Sequence, residues 1–99
     1  MPIDPLESSL PAADLVKQGL ADLKGGRVSD FALLLLAAGP SLRNVGLDIP
    51  ERSTDRPYHH LLYERQEDRL GEGAHSYYNS LMRRIVSYTR ALEREQKSA

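Results

Sequence analysis

Hydrophobic positions along the chain fall into runs with different periods. Ala12, Val16, Leu20 and Leu23 recur at spacings of four, four and three, the mark of one buried helical stripe. Gly19 lies on the same stripe. Ser9 or Pro11 is placed to open this helix, the first as an acceptor for free amides and the second where a missing N–H costs nothing. Gly25-Gly26 closes it with a residue that can turn left-handed. A second helix is expected to open at Ser29, with Asp30 in the first turn where the helix dipole favours negative charge. Residues 31–38 then have entirely apolar side chains. The absence of β-branched residues and the Gly39-Pro40 stop decide for helix over strand, and a helix apolar on every side must sit at the centre of a core.

Residues 40–57 are the least regular stretch. Ser41–Val45 reads as one capped helical turn closed by Gly46, and Leu47–Pro50 as extended, because the residue before proline is pushed out of the α region. Residues 51–56 hold no apolar side chain and are read as solvated loop, and the long 47–57 connection is a second candidate contact segment. A third helix begins at Pro57, with Tyr58, Leu61 and Leu62 inward. After the Leu70–Gly73 turn comes the longest helix. There Tyr78, Leu81, Ile85, Tyr88 and Leu92 are spaced three, four, three and four, with Met82, Val86 and Thr89 widening the stripe on one flank.

The pattern predicts an all-α, single-domain bundle of four main helices at about 10–24, 29–38, 57–69 and 74–95, with a short extra helical turn near 41–45. A loose arm is expected over 1–8, ahead of a helical domain at 9–96. Composition agrees. Leu and Ala supply 25 of the 40 hydrophobic residues, whereas Ile, Val and Thr together number nine, and unbranched or γ-branched side chains keep more rotamer freedom in helices.

Charge and residue inventory exclude several classes of function. The net charge is −1, which argues against wholesale coating of DNA or an acidic membrane. The longest apolar run is nine residues, Phe31 to Gly39, well short of the ~18 that span a bilayer. The first residues lack a basic and then an apolar region, so no secretory signal is expected. With no cysteine there is no disulfide framework or thiolate chemistry. A cytoplasmic location follows as the expectation.

Candidate chemistry is sparse. His60, Glu64 and Asp68 share a helix face at i, i+4 and i+8, but this common spacing makes an incomplete cation site, and no metal or cofactor is expected. Arg69 and His75, separated by five residues, are similar to the Arg-x(4–6)-His pattern of HEPN-type RNases, which are helical bundles. Leu70 stands where those enzymes usually carry a polar residue, and two positions of 99 establish no membership. His75, Tyr77, Tyr78 and Asn79 crowd one turn and form the first place to look for a specific polar site. A helix-turn-helix reading of residues 29–45 fails because the second helix is cut short by Gly46 and Pro50. No catalytic residues are assigned, and the chain is read as not an enzyme.

The 74–95 helix carries the functional expectation. Its apolar face is either ordinary core or, in its second half, a surface that pairs with a protein partner or the same helix of another copy. Because the helix is longer than the others can readily cover, Leu81, Ile85, Tyr88 and Leu92 are the expected partner-binding residues, and a homodimer the expected assembly. Its opposite face carries Arg83, Arg90 and Arg94 within about 40° of one another at 100° per residue. Residues 73–99 hold five basic and two acidic side chains, and residues 48–72 seven acidic and four basic. That ridge is the alternative, a phosphate or nucleic-acid contact, less favoured than a solvated face.

Overall fold

The computed structural model describes residues 9–50 and 56–98. The chain is all-α: α1 (Ala13–Lys24), α2 (Asp30–Ala37), α3 (Gly39–Asn44), α4 (Tyr58–Leu70), a 3-10 turn (Gly71–Gly73) and α5 (Ala74–Ser98). No strand occurs among the described residues. The arm expected over 1–8 and most of the polar stretch 51–56 lie outside those residues.

The helices end where local chemistry stops them. α1 starts at Ala13 rather than near residue 10, because Ala12 is left-handed, with φ 59°, and the amide of Ala13 turns back to the Leu10 carbonyl. At the other end Gly26 takes φ 70°. Its N–H bonds the Leu23 carbonyl, and that of Arg27 bonds the Asp22 carbonyl at 2.8 Å, so the last carbonyls of α1 are satisfied. α3 ends the same way: Gly46 adopts φ 98°, and the Leu47 amide reaches back to Leu42 at 3.0 Å. At α2 the Ser29 hydroxyl accepts from the Ala32 amide, the expected cap.

Packing runs in chain order, α1 on α2, α2 on α4, α4 on α5. Gly19 makes the first contact possible. A Cβ there would lie 2.7 Å from Leu35 Cδ1 and 3.0 Å from the Phe31 carbonyl oxygen, so only hydrogen lets the two helices approach this closely. Leu34 and Leu35 are fully buried, which puts α2 at the centre, and burial of each such leucine contributes about 1.5–3 kcal/mol.

Two buried carboxylates tie the layers together. Asp22 accepts from Gln18 (3.0 Å), Arg27 (3.1 Å) and the Ser29 hydroxyl (2.6 Å), which fastens α1 to the start of α2. Asp30 does more than face a helix dipole. It accepts from Arg65 at 2.9 Å and Arg69 at 2.5 Å, so α4 is pinned to α2 across 35 and 39 residues of sequence. The Arg69 side chain is half-exposed, with its guanidinium turned in to make this bond.

The largest departure from expectation concerns α5. Leu81, Ile85, Tyr88 and Leu92 are 3%, 2%, 0% and 0% exposed. They belong to the core of their own chain and are not a free partner-binding face. α4 packs along this helix, and the stretch read as irregular adds to the same core. Val45, Leu47 and Ile49 are buried in that same core, while Gly46, Asp48 and Pro50 between them are exposed. This strap is held at both sides, by Gln96 donating to the Val45 carbonyl (2.7 Å) and Arg43 donating to the Ile49 carbonyl (3.0 Å).

Candidate functional site

With the seam of α5 consumed by the core, the surface left to it begins one residue round the helix. Val86 follows Ile85 in sequence, about 100° further on, and is 42% exposed. Met82, one turn earlier, is half-buried. The two line a shallow groove whose opposite wall is the α2–α3 corner, with Ala37, Ala38 and Ser41, and whose rim carries Arg90 and Glu93. The flank that the sequence placed beside the main stripe is thus the exposed apolar strip.

Of the predicted arginine ridge, two members share a site. Arg83 and Arg90 border a groove of about 560 Å3 with Asn79, Met82 and Val86, and neither meets a carboxylate among the described residues. Arg94 is outside that groove and engaged elsewhere. Arg84, not singled out by the pattern, lies 3.6 Å from Asp14 of α1.

Of the polar residues crowded at the start of α5, three lie together and one points away. Asn79 Nδ2 and His75 Nε2 are 3.1 Å apart. Tyr78 meets Tyr63 of α4 edge-to-face, centroids 5.4 Å apart and planes at 78°, and the His75 ring lies 6.5 Å from the same Tyr63. Tyr77 points elsewhere, under the Arg69 guanidinium at 5.8 Å. The α4 side of the cluster was not assigned from sequence: His59 and His60 pack against one another at 4.4 Å and join Tyr63, Tyr78 and Glu64 around a cleft of about 360 Å3. Its signal was the placement of both histidines within one turn of Tyr63, on one side of α4. Glu64 at the mouth is ion-paired with Arg56, and both are exposed.

The weighed chemical alternatives do not converge. Arg69 is committed to Asp30 and Tyr77, and the hydrogen bond and charge of Asp30 push its pKa further up, whereas His75 belongs to the Asn79–Tyr63 group. His60 lines the aromatic cleft and Asp68 a different groove, beside Val28 and Arg65, with Glu64 bordering both. Among the described residues no group of three or more His, Cys, Asp or Glu side chains could hold a metal ion. No described helix is long and apolar enough to cross a membrane. No protein-family model, curated protein or solved structure matches the chain.

Proposed function

We propose that this chain is a small, non-catalytic cytoplasmic module that acts by binding protein, in the first instance a second copy of itself through α5. The observation that carries the reading is the Met82–Val86 strip, apolar and partly exposed beside Ala37 and Ala38, with positive and negative side chains, Arg90 and Glu93, on its rim. A two-fold interface uses the same patch twice and must therefore be self-complementary, and a strip with both signs of charge around an apolar centre meets that demand. It is narrow, so the association belongs to the weak, transient class of interfaces. Sedimentation of the full chain over a hundredfold range of concentration, up to about 1 mM, tests it. A concentration-dependent dimer that Val86→Asp abolishes is the expected result; a monomer throughout overturns the reading.

A second reading has one observation in its favour, the two arginines of the strip that meet no described carboxylate. As a phosphate or nucleic-acid contact, Arg83 and Arg90 would give binding to single-stranded RNA or duplex DNA that weakens as salt is added. No binding at low salt ends it.

A further inference from the structure

We infer that in the self-association proposed above, on which this inference rests, Arg90 of each copy enters the aromatic cleft between α4 and α5 of the other. The cleft has the chemistry of a guanidinium site. Tyr63 and Tyr78 meet edge-to-face, nearly at right angles, His59 and His60 complete the aromatic lining, and Glu64 supplies a carboxylate. Aromatic faces attract a flat cation, and a carboxylate completes its hydrogen bonding. The molecule already uses this combination once within itself: Arg69 is held by the Asp30 carboxylate at 2.5 Å while its guanidinium lies over the Tyr77 ring. At the cleft, Glu64 already takes a cation from its own chain, Arg56, in an exposed pair of the kind that contributes little and exchanges readily.

The cation to fill the cleft is on the same strip. Arg90 is exposed, lines the Met82–Val86 groove and has no carboxylate partner among the described residues. Register selects it over Arg83. When two copies of α5 cross antiparallel about a two-fold axis, facing residues have a constant sum of numbers. Setting Arg90 against the partner copy's cleft at Tyr78 places Val86 against Met82 and Met82 against Val86, so the apolar strip is covered by the same register. The twelve residues from Tyr78 to Arg90 span about 18 Å, which puts the axis about 9 Å from each cleft. Setting Arg83 against Tyr78 would instead place Val86 against His75 and leave the strip facing polar groups.

Two measurements on the full chain test this. The first is the dimerisation constant of charge variants on exposed residues: Arg90→Glu is expected to weaken association about tenfold or more, and Arg90→Glu combined with Glu64→Arg, which exchanges the charges at both clefts, to recover most of it. The second exploits the absence of native cysteine. Met82→Cys mixed with Val86→Cys is expected to form the mixed disulfide faster than either variant alone forms its own. An unchanged dimerisation constant in Arg90→Glu, in a protein whose dimer Val86→Asp still destroys, overturns the cleft insertion and leaves self-association standing. A wild-type chain that stays monomeric overturns both.

Discussion

The Ser29 hydroxyl lies 2.6 Å from Asp22 Oδ2 and donates to it, while its lone pair accepts from the Ala32 amide. One side chain therefore caps α2 and ties α2 to the carboxylate of α1. This bond is the main reason that the Asp22 carboxyl is held below its ordinary value of 3.8, with Arg27 and Gln18 acting in the same direction and burial opposing them.

Linkage gives the sign of the consequence. A carboxyl whose folded pKa is lowered stabilises the fold above its unfolded value, and that contribution is lost as pH falls through the folded one. The stability gap between wild type and Asp22→Asn in urea unfolding should be constant from about pH 5 to 8 and close below about pH 4. A gap independent of pH down to pH 2 would contradict the assignment.

Gly19→Ala should destabilise the protein even though alanine is the better helix former by about 1 kcal/mol. The new methyl meets fully buried Leu35 and the backbone oxygen of Phe31, and overpacking costs about 1–3 kcal/mol. A fall in Tm of several degrees is expected; a rise would mean that α1 and α2 separate without cost.

Gln66 is fully buried, and neither its amide nitrogen nor its amide oxygen has a hydrogen-bond partner among the described residues. Leaving such groups unmet costs about 1–3 kcal/mol, whereas an apolar side chain of the same shape avoids that cost. Gln66→Met should therefore raise the midpoint of thermal or urea unfolding, and a lowered midpoint would show that the amide is satisfied in solution.

The two sides of α5 should separate cleanly by mutation. Leu92→Ala removes a fully buried side chain and should cost about 2–5 kcal/mol, whereas Val86→Ala, on the exposed flank, should stay within about 0.5 kcal/mol of wild type. Chemical denaturation of the pair checks this, and equal effects would place the seam elsewhere.

Helix positions were readable because each rests on local chemistry: the apolar period of α1 and α5, the Ser29 cap, the glycines that close α1 and α3. What covers α5 was not, because cover is a tertiary property. Even so, Val45, Leu47 and Ile49 alternate with Gly46, Asp48 and Pro50, a period of two that marks a stretch buried on one side. Asp22 and Asp30 were hidden for a different reason. An aspartate near a helix end has a complete local explanation in the dipole or the cap, and nothing nearby in sequence announces Arg65 or Arg69. The aromatic cleft was half legible, its α5 side being crowded into one turn and its α4 side identifiable only once the two helices are laid together.

Gln96 holding the Val45 carbonyl joins two points 51 residues apart, close to half the length of the chain. A peptide bond hydrolysed anywhere between residues 46 and 50 would therefore do more than nick a connector. It would leave buried Leu47 and Ile49 tied to the chain on one side only, so that the stretch would hold its place in the core by packing and by the Arg43 bond to the Ile49 carbonyl.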